Sequence, residues 1–95
     1  MRVPKITDYP KQIQIGDAIY KIKFVARIGN SRTTLGICDP SDYIIRIKKG
    51  MTKEETFATL IHELLHAFEA EYDINISHKA VYQLEQAISI LWLTL

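Results

Sequence analysis

The residues best suited to chemistry are His62, Glu63 and His66, in the run His62-Glu63-Leu64-Leu65-His66. The spacing is informative only on a helix. Residues four apart there share a face, with Cβ atoms about 5–6 Å apart. Two imidazoles so placed can converge on one tetrahedral zinc ion, with Zn–N bonds of about 2.0–2.1 Å. Glu63 lies about 100° round the same helix from His62. Its carboxylate can reach a water on the metal without ligating the metal itself. Zinc lowers the pKa of that water, and a carboxylate in reach takes its proton as it attacks a carbonyl. The competing reading is two histidines on a solvated helix face that hold nothing.

The elements that must position these residues can be read from periodicity. Thr52 and Glu55 form a T-x-x-E capping box, and a helix is expected from about 53 to 72. Phe57, Leu60, Ile61, Leu64 and Phe68 give its apolar stripe, which leaves His62 and His66 outside that arc. Asp73 and Asn75 mark a loop. Ser77 then caps a second helix from about 78 to 93, with Val81, Leu84, Ile88 and Trp92 as its inward stripe. Before residue 50 the period is two. Ile13 and Ile15, then Tyr20, Ile22, Phe24 and Ala26, alternate with polar neighbours, as strands with one buried face do. Gly16-Asp17 reads as a tight hairpin loop. Leu35 and Ile37 continue as a third strand, and Asp39-Pro40-Ser41-Asp42 is a turn. Tyr43, Ile45 and Ile47 form a fourth. The expected fold class is α+β: an antiparallel meander of about four strands packed by two antiparallel helices, in one domain spanning 1–95.

Catalytic zinc sites usually have three protein ligands plus a water. The candidates downstream are Glu69, Glu71, Asp73, His78 and Glu85. Antiparallel helices put residues near 83 to 88 level with His66 and His62. Glu85 falls in that interval and on the inward stripe, where an unpaired carboxylate is costly. Glu85 is therefore the expected third ligand, with His78 the alternative. Glu69, one turn past His66, is expected in an outer shell or in solvent. His78, Tyr72 and Tyr82 are candidates for stabilising an oxyanion, against a simple packing role for the tyrosines.

Composition bounds the rest. Of 95 residues, 47% are hydrophobic and 24% charged, an ordinary globular balance. The net charge of +1 does not point to nucleic acid. It is nevertheless split, about +7 up to Lys53 and −6 after it. Lysines on solvent faces of strands account for a basic half without invoking a partner. Cys38, the one cysteine, is read as a small buried hydrophobe rather than a ligand or switch. With no internal disulfide, no apolar N-terminal run of signal length and no membrane-length segment, a cytoplasmic location is expected. The apolar Ile90-to-Leu95 end finishes the core or makes a dimer contact, so a monomer or weak dimer is expected.

The sequence resembles the zincin metallopeptidases, and within them a minimal gluzincin, in which HExxH on one helix is completed by a glutamate on the next. His62, Glu63, His66 and Glu85 are the matching residues. The run from Thr59 to Ala67 also resembles the active helix of small phage- or prophage-type metallopeptidases, ImmA/IrrE-like and SprT-like in a broad sense. The SprT pattern implies a histidine as third ligand, and only His78 matches it. The resemblance covers roughly residues 35–90. It implies zinc as cofactor, a zincin-like fold and a polypeptide substrate. It also implies that Tyr43, Ile44, Ile45, Arg46 and Ile47 form the sheet edge holding the substrate as an added strand, a mode backbone hydrogen bonding explains.

Three functions follow as expectations. The first is a zinc metallopeptidase that hydrolyses a peptide bond through a zinc-bound water, with Glu63 as general base. The second is a zincin-fold module that binds metal or a partner without turnover. The third is a nucleic-acid-associated protein using the basic strand half, whose binding would fall steeply with salt.

Overall fold

The fold is described from a computed structural model covering all of residues 1–95. The chain builds a four-stranded sheet and two helices, an α+β arrangement. The strands are β1 (Gln12–Ile15), β2 (Ala18–Val25), β3 (Gly36–Asp39) and β4 (Ile44–Lys48). The helices are α1 (Lys53–Tyr72) and α2 (His78–Thr94).

The sheet is mixed, in the order β1-β2-β4-β3, where the sequence suggested an antiparallel meander. β1 and β2 pair through the expected two-residue loop, with Ile15 opposite Ala18. Gly16 has φ +59°, as the first central residue of a II′-type hairpin requires. The connection from 26 to 35 then carries the chain past its neighbour, and β4 returns parallel to β2. Its antiparallel partner β3 takes the outer edge. The reason lies in side-chain content. Ile45 and Ile47 of β4 are fully buried, which only a central strand provides. β3 turns inward just two small residues, Gly36 and Cys38, while Leu35 and Ile37 face solvent. The inward face expected of the third strand is thus reversed. Tyr43 belongs to the β3–β4 turn, exposed and at φ +55°.

The core lies between sheet and α1, around Ile15, Tyr20, Ile22, Ile45, Ile47, Leu60 and Ala67. Both faces of α1 are used, since α2 packs on its other side through Ile61, Leu65 and Val81. The buried arc of α1 therefore takes in Leu65 and Ala67 and leaves Phe68 exposed. Helix limits match the sequence closely because capping defines them. Thr52 accepts from the Glu55 amide and Glu55 reaches back to the Thr52 amide, and the Ser77 side chain accepts from the Ala80 amide. Of the stripe expected inward on α2, only Val81 is fully packed; Leu84 and Ile88 are exposed.

Candidate metal centre

α1 carries His62 and His66 on the flank that faces α2, clear of its core arc. The two Nε2 atoms lie 3.3 Å apart. A tetrahedral metal with bonds of about 2.0–2.1 Å separates two ligand nitrogens by about 3.3–3.4 Å, so the pair already has the required span. The other ring nitrogens are both held by carboxylates. His62 Nδ1 is 2.9 Å from Glu85 Oε1, and His66 Nδ1 is 2.9 Å from Glu69 Oε1. An ionised carboxylate only accepts, so Nδ1 is the donor in each pair, and a neutral imidazole held this way keeps its lone pair on Nε2. Two lone pairs facing each other at this distance repel unless a cation or a shared proton lies between them. This donor arrangement fits a zinc ion, with its ligand rings oriented by hydrogen-bonded carboxylates.

Glu63 is 8% exposed and lies beneath the pair, toward β3. Burial raises its carboxyl above the ordinary glutamate range, the effect of Glu85 adds to this, and the nearby histidines and the Cys38 amide offset it in part. A bound dication would strengthen that offset. The approach of β3 depends on Gly36. A Cβ there would stand 2.7 Å from Thr59 Cγ2 and 3.1 Å from Glu63 Cγ. Sequence reasoning did not single out Gly36, although a glycine inside a strand is a signal for close backbone approach.

The downstream candidates separate clearly. Glu85 reaches the site, but at His62 Nδ1 rather than beside the Nε2 pair. Glu69 bridges, with one oxygen on His66 and the other accepting from the Ile76 amide at 3.0 Å. That amide is the chief cause holding the Glu69 carboxyl below its ordinary range. The His78 ring lies 6.2 Å from His66, and the Tyr82 ring 5.1 Å from His62. Glu71 is engaged elsewhere, accepting from the buried Tyr20 hydroxyl at 2.6 Å. Asp73 is the left-handed C-cap of α1. Three or more His, Cys, Asp or Glu side chains do not converge on one point in this arrangement.

The helix register is offset from the expected one for a local reason. The loop after Tyr72 doubles back along the last turn of α1, pinned by Glu69 to the Ile74 and Ile76 amides. α2 therefore starts level with His66, and Glu85 meets His62 instead of lying between the histidines.

Two hollows flank the centre and share Gly36, His62 and Glu63. One extends past Thr59 toward Tyr82 and Glu85, the other past Cys38 and Pro40 toward Glu69. Together they form a groove between β3 and the helices. β4 is interior, so Tyr43 to Ile47 do not form the edge of the sheet; the free edge beside the groove is β3. No family model matches the chain, and no curated protein and no solved structure matches it either.

Proposed function

We propose that this chain is a zinc-dependent metallopeptidase that hydrolyses a peptide bond in a cytoplasmic polypeptide. The observation that carries the reading is the facing pair of Nε2 atoms, 3.3 Å apart, each ring held at its Nδ1 by a carboxylate, with the buried Glu63 carboxylate beside them. His62 and His66 hold the metal. Glu85, whose carboxylate lies on His62 Nδ1, is the favoured third ligand, with His78 the alternative. When bound, zinc supplies Lewis acidity and makes water a nucleophile near neutral pH. Glu63 accepts the proton of the attacking water and hands it to the leaving amine. β3 offers its unpaired edge to the substrate backbone as an added strand, which moves the role first given to Tyr43–Ile47 onto Gly36–Asp39. No helix is long and apolar enough to cross a membrane.

Elemental analysis of the purified protein tests the centre. Near-stoichiometric zinc is expected, lost in His62→Ala. Loss in Glu85→Ala even at saturating zinc assigns the third ligand to Glu85, whereas retention there moves it to His78. No zinc after incubation with excess metal would sink the proposal. The second reading, a binding module without turnover, separates on Glu63→Gln. That variant should keep its zinc and lose cleavage of an unfolded polypeptide by a factor of about 10² or more. Equal, negligible cleavage by both zinc-loaded proteins would favour the binding module.

A further inference from the structure

α2 carries a second apolar surface that the fold does not use. Leu84, Ile88, Leu91 and Leu95 keep between 36% and 68% of their surface exposed. Their 4-3-4 spacing is that of a coiled-coil seam, which advances along one line of the helix. At 100° per residue this line is centred roughly 120° from His78, Tyr82 and Glu85, so it lies away from the groove. α2 touches the rest of the chain chiefly through Val81 on Ile61 and Leu65, and Trp92 on Phe57.

We infer that this seam pairs with the same seam of a second copy of the chain, giving a two-fold dimer through α2. Three observations select a second copy. From Gln86 to Leu95 no side chain is charged, and with only the Met1 ammonium beside this stretch, on the Trp92 carbonyl at 3.0 Å, the seam has no charge pattern of its own that would choose a different partner. The residues beside the seam are Ala87, Trp92 and Thr94, with Glu85 already bound to His62. Leucine at 84 and 91 with isoleucine between them at 88 is the alternation that favours two strands in parallel coiled coils. The area is that of a weak contact. At about 120 Å² of apolar side chain per leucine or isoleucine, four half-exposed residues supply about 240 Å² per copy, or about 480 Å² across a dimer. At the roughly 65% apolar share of homodimer interfaces this corresponds to about 740 Å² in all, short of the roughly 1,000 Å² of a stable specific contact and in the range of weak, transient ones. The dimer is accordingly weak and concentration-dependent, and both grooves stay open in it.

Sedimentation equilibrium of the zinc-supplemented protein between about 5 and 500 µM tests this. The mass should rise from near the 11.0 kDa of one chain toward twice that value. Leu91→Glu should hold the mass at one chain over the whole range. Its melting temperature at the lowest concentration should match wild type, which shows that folding is intact. Ile90→Glu, on an exposed residue one step off the seam, should leave the dimer unchanged. A wild type that stays monomeric to 500 µM overturns the proposal, and if it then floats with neutral phosphatidylcholine vesicles the seam belongs to lipid. A dimer that survives Leu91→Glu, or that Ile90→Glu breaks equally, also overturns it.

Discussion

Each imidazole of the pair has one nitrogen committed to a carboxylate and one left free, and the two commitments differ in kind. Glu69 holds His66 from the same helix, three residues on, and at the same time holds the Ile76 amide. Glu85 holds His62 from across the helix pair. Carboxylates that orient ligand histidines are typically worth 10–100-fold in metal affinity. Glu69→Ala should therefore weaken zinc binding by about that factor without abolishing it, measured by competition with a chromogenic chelator. Glu85→Ala should lower affinity well beyond that range if Glu85 moves onto the metal, and by the same 10–100-fold if it only orients His62. The two variants measured together thus read the role of Glu85 on a scale that Glu69 calibrates. Glu63, the proposed base, depends on burial rather than on a partner. Burial comes first among the causes raising the Glu63 carboxyl, and that burial is supplied by β3.

At the scale of elements, the site depends on how closely β3 lies against α1, and Gly36 sets that distance. Gly36→Val would put a branched side chain where even a Cβ meets Thr59 Cγ2 at 2.7 Å. The strand must move outward or Glu63 must turn. Cleavage should fall by at least tenfold while zinc content stays near wild type, because the atoms a Cβ at residue 36 meets first belong to Thr59 and Glu63 rather than to His62 or His66. A loss of zinc in this variant would show that the strand supports the proposed ligands as well as the proposed base. This dependence also shows what was legible in the sequence. Helix α1, its Thr52 cap, the Ser77 cap and the Gly16-Asp17 hairpin all rest on interactions within a few residues, and each is readable from spacing. The position of β4 beside β2 rests on a pairing of residues more than twenty apart, such as Lys21 with Ile44. Alternation says that a strand is half-buried but not which strand lies beside it. The inward face of β3 was misread because Leu35 and Ile37 are the apolar residues there, whereas the face against α1 requires the smallest ones. Glu85 was placed in the right neighbourhood from helix pairing alone. Its contact with Nδ1 depends on the loop folding back at Ile76, which no periodicity reveals.

Over the whole molecule, three groups that titrate at alkaline pH, Tyr9, Tyr20 and Cys38, are held neutral by burial. Burial pushes Tyr9 and the Cys38 thiol each up to about 12, and it raises Tyr20 as well, with the Glu71 hydrogen bond adding to the effect. A group whose folded pKa is raised contributes stability that is fully present below its unfolded pKa and is lost as pH rises through the folded value. Denaturant midpoints should therefore be flat from pH 7 to about 8.5 and fall toward pH 12. Tyr9 has a buried hydroxyl without a hydrogen-bond partner, so Tyr9→Phe should be neutral or stabilising at pH 7 and should blunt that fall. A midpoint that held level to pH 11 would contradict this reading.

The charge split visible in the sequence becomes a geometric fact in the sheet. Lys21, Lys23, Arg46 and Lys48 alternate with the buried residues of β2 and β4 and therefore share the outer face. Lys23 stands directly opposite Arg46 in the parallel register, and no lysine or arginine lies within 4.0 Å of a carboxylate anywhere in the chain. Like charges directly opposite one another on a sheet face are destabilising. Two consequences follow from this single cause. Raising sodium chloride from about 0.05 to 0.5 M should raise the melting temperature, because screening removes repulsion and there are few ion pairs to weaken. Lys23→Glu should also raise it, by an amount corresponding to about 0.2–1 kcal/mol, by turning a repelling cross-strand pair into an attracting one, and that gain should shrink at high salt. A salt-independent gain from Lys23→Glu would assign the effect to packing. No gain at all would mean that the lysine and arginine heads already spread apart into solvent, and that the basic face costs the fold nothing.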